Sequence, residues 1–305
     1  MAATNSPAAA AGEVVNPLAL AVLIALNWIN GCATAEPTNH RVNDSTSQKV
    51  EGKYAPVNGL RIYYEIHGPI NSPNPPLVLL HGGGSTIQTS FGKVLPALAK
   101  NRMVIAFEQQ GHGHTADVDR PFSFEQSADD TAALLKYLKI EKADFYGYSN
   151  GGSIALQMGI RHPQLVRKLV VMSAMFKRDG LYPELLESIR NGTAENMPPE
   201  LREAYLAAAP DPRQLPTFVA KSVRRMMEFK DVPAADIAAI RAPTLIILGD
   251  GDVVRPEHAV EMFRLLPHSR LAILPGTDHM MIINRADLLL TIIPEFLDAP
   301  MPQEK

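Results

Sequence analysis

The segment "FYGYSNGG" (145–152) decides the fold, because an apolar, aromatic run leads directly into a serine that stands among glycines. A strand that turns abruptly into a helix strains the residue at the turn, and bulky neighbours two positions away would collide. Gly147 and Gly151 avoid this collision around Ser149, and Gly152 allows the helix to lie close to the strand. The segment therefore predicts a G-x-S-x-G nucleophile elbow with an exposed serine hydroxyl.

Strand-like and helix-like segments alternate on both sides of this turn. Apolar runs such as "PPLVLLHGGG" (75–84) and "RMVIAFE" (102–108) are typical of strands that are buried on both faces. Asn58-Gly59 predicts a hairpin at the start of the regular region. The alternation predicts an α/β fold, with a mostly parallel twisted sheet that is flanked by helices.

The strand pattern stops between residues 177 and 240, where a helical sequence is interrupted by prolines. We therefore expect a core over 51–176 and 241–300, and a helical lid over 177–240. Ligands of open α/β sheets bind at the carboxyl ends of the strands. An insertion that leaves and re-enters the sheet at this point is well placed to cover such a site.

Composition excludes several classes of protein. Hydrophobic residues make up 46% of the 305 residues and charged residues 20%, which is enough apolar material for a packed core. A net charge of −3 argues against a nucleic-acid partner. Cys32 is the only cysteine, so an intramolecular disulfide and a cysteine-bound zinc are both excluded.

The first 50 residues read as a signal-like segment and a polar linker. The apolar run over 17–26 is shorter than a bilayer-spanning helix and precedes Ala33-Thr34-Ala35, an A-x-A cleavage site. Cys32 stands where a lipoprotein would be acylated, so membrane attachment is expected only if it is lipidated. These features favour an exported protein that is periplasmic, secreted or lipid-anchored. Glu13, without any preceding Lys or Arg, favours instead an unstructured extension or a misplaced start codon on a cytoplasmic protein.

Five motifs follow one another in the order found in the α/β-hydrolase family, which residues 55–299 resemble. They are "HGGG" (81–84), "FEQQGHGHT" (107–115), "GYSNGG" (147–152), "LGDGDVVRPEHA" (248–259) and "LPGTDHM" (274–280). Glu108 and Thr115 depart from the aspartate and serine that the family carries in its second motif.

The resemblance implies a catalytic triad. A serine hydroxyl is a poor nucleophile unless a base removes its proton, and that base is in turn oriented by an acid. Ser149 is the implied nucleophile, His279 the base and Asp252 the acid, while Asp250 remains an alternative acid with a loop-capping role as its simpler reading. Backbone N–H groups of Asn150 and Gly83 are the implied oxyanion hole.

Several other residues are candidates for substrate binding. The predicted pocket residues are Tyr148, Met226, Met227 and Met280, although methionine at helical spacing is equally typical of a core. Arg224-Arg225 predicts a solvated helix face, with contact to an anionic substrate group as the alternative. His112-Gly113-His114 resembles a metal pair, but no third ligand is evident, so neither a metal nor a cofactor is expected.

The sequence therefore predicts a serine hydrolase that cleaves a small carboxylic ester or lactone through an acyl-enzyme. Hydrolysis of a carbon–carbon bond in ring-cleavage diketones and cofactor-free perhydrolysis use the same triad, and they stay open as alternatives. A non-catalytic binding protein on the same fold is disfavoured by the complete set of Ser149, Asp252 and His279.

Overall fold

The computed structural model describes residues 51–302 of the chain. The predicted export segment, Cys32 and the polar linker lie outside the described residues and stay predictions. Within residues 51–302, no helix combines the length and the apolarity that crossing a membrane requires.

One eight-stranded sheet forms the centre of the described region. Its strands are β1 (Lys53–Val57), β2 (Leu60–His67), β3 (Leu77–Leu80), β4 (Val104–Phe107), β5 (Ala143–Tyr148), β6 (Val166–Met172), β7 (Thr244–Gly251) and β8 (Ser269–Asp278). The spatial order is β1-β2-β4-β3-β5-β6-β7-β8. The β1–β2 hairpin turns at Asn58-Gly59, β2 pairs antiparallel with β4, and β3 to β8 run parallel. The predicted fold class is confirmed.

Ten helices accompany the strands within residues 51–302. They are α1 (Ile87–Phe91), α2 (Leu95–Leu98), α3 (Phe124–Tyr137), α4 (Asn150–Arg161), α5 (Pro183–Arg190), α6 (Pro199–Ala208), α7 (Leu215–Glu228), α8 (Ala234–Ala238), α9 (Pro256–Leu265) and α10 (Ala286–Asp298). Ser123 caps α3 by accepting a hydrogen bond from the Gln126 N–H at 3.0 Å.

Both faces of the sheet are buried, as the continuous apolar runs predict. Successive side chains of a strand point to opposite faces. In β3, Val78 and Leu80 join a core that includes residues of α3, α4 and α9. Leu77 and Leu79 join a second core with residues of α1, α2 and α10.

Helices α5 to α8 occupy the segment between β6 and β7. Helices α5, α6 and α7 each have a proline in their first two positions, where the missing N–H costs no hydrogen bond. This insertion lies next to the "HGGG" loop, since a Cβ atom placed on Gly84 would be 3.1 Å from the Met197 Cε atom. Phe218 of α7 also packs with Phe122 of the core. The helices therefore lie over the loop in which the sequence predicts an oxyanion donor.

Candidate active site

The turn between β5 and α4 has the geometry of a nucleophile elbow. Ser149 lies at this turn with a φ of 54° and a ψ of −118°, a backbone conformation that non-glycine residues rarely adopt. A Cβ atom on Gly147 would lie 2.1 Å from the Gly151 oxygen, and one on Gly151 would lie 1.8 Å from the Leu80 oxygen. These close approaches explain why glycine stands two positions before and two positions after the serine.

Three side chains from three separate loops meet at the carboxyl ends of the strands. The His279 Nε2 atom lies 3.0 Å from the Ser149 Oγ atom. The His279 Nδ1 atom lies 2.7 Å from the Asp252 Oδ1 atom. The structure therefore joins the three residues that the family resemblance selects into one hydrogen-bonded chain, although 130 residues separate the serine from the histidine.

Asp252 is 3% exposed, and both of its carboxylate oxygens accept hydrogen bonds. Its Oδ2 atom accepts a hydrogen bond from the Ser173 hydroxyl at 2.5 Å, and its Oδ1 atom accepts one from the Val254 N–H at 3.1 Å. Burial alone would raise the pKa of Asp252. The charge and the hydrogen bonds of its neighbours, His279 first, outweigh burial and lower the pKa instead. Asp252 therefore remains ionised opposite the imidazole.

Ser173 contributes a hydrogen bond to Asp252, and no sequence motif indicates this residue. It follows β6 directly and has a φ of 53°, a left-handed conformation that aims its hydroxyl at Asp252 on the neighbouring strand end. The signal available in the sequence is its position, since a polar residue right after a buried parallel strand lies at the edge where ligands bind.

Asp250, the alternative acid, lies elsewhere in the same loop. Its carboxylate is exposed and accepts hydrogen bonds from the Gly276 N–H at 3.0 Å and the Thr277 N–H at 3.1 Å. These bonds join the end of β7 to the end of β8. This is the loop-capping role that the sequence gives as its simpler reading.

His279 is held from behind by Tyr148. The tyrosine hydroxyl donates to the His279 carbonyl oxygen at 2.8 Å, and the two rings lie 5.3 Å apart. Asp278 adds to this support by accepting the N–H groups of Met280 and Met281 at 2.9 and 2.7 Å. Tyr148, predicted among the substrate-binding residues, is 3% exposed. It positions the histidine loop and leaves almost no surface for a substrate.

The two predicted oxyanion donors lie side by side. A Cβ atom placed on Gly83 would lie 2.1 Å from the Asn150 Nδ2 atom, although 67 positions separate the two residues in the chain. Neither backbone N–H donates a hydrogen bond to another residue within 51–302. Asn150 is the first residue of α4, where the N–H groups lack partners within the helix and the helix dipole favours negative charge. Both N–H groups are therefore free within residues 51–302, one on the residue that follows Ser149 and one on the loop that the Asn150 side chain approaches.

The predicted methionines have three different environments. Met226 packs against the main core, so its side chain contributes to the protein interior. Met227 is half-buried on α7. Met280 is 40% exposed, and its sulfur lies 3.9 Å from the Tyr148 hydroxyl. Pocket lining by Met227 and Met280 stays a prediction.

The histidines near the site make structural contacts. The Nδ1 atoms of His81 and His112 lie 2.8 and 2.9 Å from the carbonyl oxygens of Gly82 and Gln110, and burial lowers the pKa of both rings. His114 pairs with Glu108 at 2.8 Å. Within residues 51–302, no three His, Cys, Asp or Glu side chains are grouped so as to hold a metal ion.

The prediction of a solvated face for Arg224-Arg225 is right for one arginine and wrong for the other. Arg224 is exposed and pairs with Glu228 at 2.9 Å. Arg225 is 6% exposed and lies against the "HGGG" loop, because a Cβ atom on Gly83 would be 3.5 Å from its Nη2 atom. Arg225 stands on the same helical face as Leu215 and Phe218, and this spacing was the available signal.

A cavity of about 460 Å³ lies between the 111–119 loop and helices α6 and α7, but none of Ser149, Asp252 and His279 lines it. Lys221, which faces this cavity, already pairs with Asp117 at 2.6 Å. We therefore locate the functional site at the strand ends, where the reactive groups meet, and not in this cavity.

Comparison with known proteins agrees with this geometry. Residues 77–291 match the alpha/beta hydrolase family, so the chain belongs to that family and is a hydrolase. The chain is 26% identical over 281 residues to serine hydrolase BPHL of Mus musculus, which covers 86% of this chain and 90% of that protein. It is 29% identical over 260 residues to the 2-hydroxymuconate semialdehyde hydrolase of Pseudomonas sp. strain CF600, and this match covers 73% of this chain and 86% of that protein.

Solved structures share the fold. The enol-lactonase of Burkholderia xenovorans LB400 superposes with a TM-score of 0.69 at 22% identity, covering 81% of this chain and 100% of that one. A meta-cleavage product hydrolase from Pseudomonas fluorescens IP01 gives a TM-score of 0.63 at 22% identity, covering 81% and 97%.

Proposed function

We propose that the protein is a serine hydrolase that cleaves a small carboxylic ester or lactone through an acyl-enzyme. The observation that carries the proposal is the continuous chain from the Ser149 hydroxyl through His279 to the ionised Asp252. A half-buried hydroxyl at a strained turn, in contact with a half-buried imidazole that pairs with a buried carboxylate, has few structural uses. Its well-known chemical use is nucleophilic catalysis by the serine, with the histidine as the base and the carboxylate as the orienting acid.

The first half of the reaction acylates the serine. As Ser149 Oγ attacks the substrate carbonyl carbon, His279 Nε2 takes the hydroxyl proton, and a tetrahedral intermediate forms. Collapse of this intermediate breaks the bond to the leaving oxygen, which receives the proton from His279. Asp252 holds the imidazole in the correct orientation and stabilises its positive charge during both transfers.

Water completes the cycle. His279 takes a proton from a water molecule, the resulting oxygen attacks the acyl carbon, and the free acid leaves as Ser149 regains its proton. In both halves the negative oxygen of the intermediate would accept hydrogen bonds from the Gly83 and Asn150 N–H groups, which have no other acceptor within residues 51–302.

The helical insertion would act as a lid. Helix α7 reaches the loop that carries Gly83, and the segment around Met197 lies beside Gly84. Covering the site in this way would exclude bulk water and strengthen the electrostatic interactions inside it.

Hydrolysis of a carbon–carbon bond is the second candidate, and the relatives favour it. Two of them are named as a 2-hydroxymuconate semialdehyde hydrolase and a 2-hydroxy-6-oxo-2,4-heptadienoate hydrolase, each 29% identical to this chain. The same Ser-His-Asp chain would serve both reactions, so the two candidates differ in the bond that breaks and not in the machinery.

A paired assay decides between them. Purified protein is given p-nitrophenyl esters of increasing acyl length and, separately, 2-hydroxy-6-oxo-2,4-heptadienoate, alongside the Ser149→Ala and His279→Ala variants. The proposal predicts ester turnover that falls by about 10⁴-fold or more in both variants. Turnover of the dienoate alone would establish the second candidate, and ester turnover that survives in Ser149→Ala would contradict the acyl-enzyme mechanism.

A further inference from the structure

Arg225 is a buried cation that has no anionic partner among residues 51–302. Its side chain is 6% exposed, its Nε atom has no hydrogen-bond partner within the described residues, and burial lowers the pKa of its guanidinium to about 10. No carboxylate contributes to that pKa. Buried charges in proteins are normally paired, because an unpaired charge loses its hydration without compensation.

The neighbours of Arg225 hold its position but do not neutralise it. The guanidinium carbon lies 5.7 Å from the centre of the Phe122 ring and 5.2 Å from that of Phe124. His81 and His112 also face it, and their lowered pKa values keep both rings uncharged near neutral pH. Aromatic faces attract a cation, yet they accept none of the five directional N–H bonds of a guanidinium.

The guanidinium is located beside the loop that carries Gly83, one of the two expected oxyanion donors. A Cβ atom on Gly83 would be 3.5 Å from the Arg225 Nη2 atom and 2.1 Å from the Asn150 Nδ2 atom. Gly83 and Asn150 are the two residues whose N–H groups would receive the oxyanion. If these N–H groups bind the substrate carbonyl, a substituent a few bonds from that carbonyl can therefore reach the Arg225 guanidinium.

We propose that Arg225 binds a carboxylate of the substrate, so that the preferred substrates are esters or lactones that carry an anionic group a few bonds from the scissile carbonyl. This inference rests on the proposed function and specifies its substrate class. A planar guanidinium matches the geometry of a carboxylate and can donate two parallel hydrogen bonds to it. The ligand would thus supply the acceptors that the described protein residues do not.

Two esters of equal shape and different charge test the inference. They are 4-nitrophenyl hydrogen glutarate, which carries a carboxylate, and 4-nitrophenyl glutaramate, which carries an amide at the same position. We expect the wild type to have a kcat/KM about 10-fold to 100-fold higher for the carboxylate ester, as is typical of a hydrogen bond to a charged group. Arg225→Met should reduce this ratio to about one, whereas Arg224→Met, on the exposed face, should keep it.

Equal losses on both esters in Arg225→Met would overturn the inference, because they would mean that Arg225 only supports the oxyanion loop. A wild type that does not discriminate between the two esters would also overturn it. In both of these cases the proposed function would stand, since the esters are hydrolysed.

A binding measurement separates the two proposals if neither ester is hydrolysed. Calorimetry would follow glutarate binding to Ser149→Ala and to the same protein with Arg225→Met. Binding that is lost with Arg225→Met supports the anion site while the ester function fails. Binding that is absent, or unchanged by Arg225→Met, overturns the anion site as well.

Discussion

The carboxyl edge of the sheet and the inner face of α7 differ in how their polar groups are partnered. At the sheet edge, His279 forms hydrogen bonds with both Ser149 and Asp252. The Ser173 hydroxyl donates a further hydrogen bond to Asp252. On α7, the Arg225 guanidinium has aromatic neighbours and no acceptor within the described residues. In the first region the polar side chains are partnered by other protein groups, whereas in the second the described residues leave the guanidinium without an acceptor.

This difference separates chemistry from specificity. A fold and a triad do not determine a substrate. Relatives of this chain are named for different reactions, among them 2-hydroxymuconate semialdehyde hydrolase and proline iminopeptidase. We therefore propose that the residues at the strand ends determine the reaction type and that the insertion determines the choice of substrate.

The largest expected effect distinguishes the two acids of one loop. Asp252→Asn should lower kcat for a p-nitrophenyl ester by about 10⁴-fold, because the imidazole would be held in the wrong tautomer. Asp250→Asn should leave kcat within about threefold, because Asp250 only bonds to backbone N–H groups. The measurement is kcat for both variants under saturating substrate. A larger loss of kcat in Asp250→Asn than in Asp252→Asn would mean that Asp250 is the catalytic acid.

Ser173 tests whether the support behind the acid matters for the chemistry. Ser173→Ala removes the hydrogen bond to the Asp252 Oδ2 atom and should lower kcat by about 10-fold with little change in KM. Ser173→Thr, which retains the hydroxyl, should recover most of the loss. A change confined to KM, or no recovery with threonine, would show that the hydroxyl does not act through Asp252.

Motifs in the sequence were enough for the fold and for the residues at the strand ends. The elbow is predictable because its glycines answer a local steric demand, and the parallel sheet follows from strands that are apolar throughout. Asp252 and His279 follow from the order of the family's motifs, because neither lies near Ser149 in the sequence.

Packing accounts for what the sequence left out. Arg224 and Arg225 are adjacent, and consecutive helical residues point about 100° apart, so one of the two had to lie nearer the core. Which one it is depends on the residues that the apolar face packs against, and these are 103 and 142 positions away, at Phe122 and Gly83. Tyr148 is among the predicted substrate-binding residues, yet its hydroxyl bonds to the His279 carbonyl oxygen, a contact that no local motif indicates.

Acid should destabilise the folded protein at His112, which faces Arg225 of α7. His112 has a pKa well below its usual 6.5 in the folded protein, mainly through burial and also through the nearby His81 and Arg225. The folded state therefore binds fewer protons than the unfolded state, so this contribution to stability is complete above about pH 6.5 and is lost as the pH falls. Between pH 7.5 and 5.5 the loss attributable to His112 should be about 1 kcal/mol.

Urea unfolding at the two pH values measures this loss. His112→Gln retains a side-chain donor but does not titrate, so its free energy of unfolding should fall by about 1 kcal/mol less than that of the wild type. An identical fall in both proteins would mean that His112 is already charged in the folded state.

The smallest expected effect concerns the stability cost of the unpaired arginine. Arg225→Met replaces a desolvated charge with an apolar chain of similar length and should raise the free energy of unfolding by about 1 kcal/mol, or the Tm by about 2–4 °C. Differential scanning calorimetry of wild type, Arg225→Met and Arg224→Met would measure it, with Arg224→Met unchanged. A drop in Tm for Arg225→Met would show that the guanidinium stabilises the fold and is not reserved for a ligand.

The central claim is that Ser149 is an activated nucleophile, and covalent labelling tests it without knowledge of the substrate. Intact-protein mass spectrometry would follow wild type, Ser149→Ala and Ser173→Ala after treatment with a serine-directed phosphonate. We expect one adduct on the wild type, slower labelling of Ser173→Ala and no adduct on Ser149→Ala. A wild type that stays unlabelled, or an adduct that persists in Ser149→Ala, would contradict it.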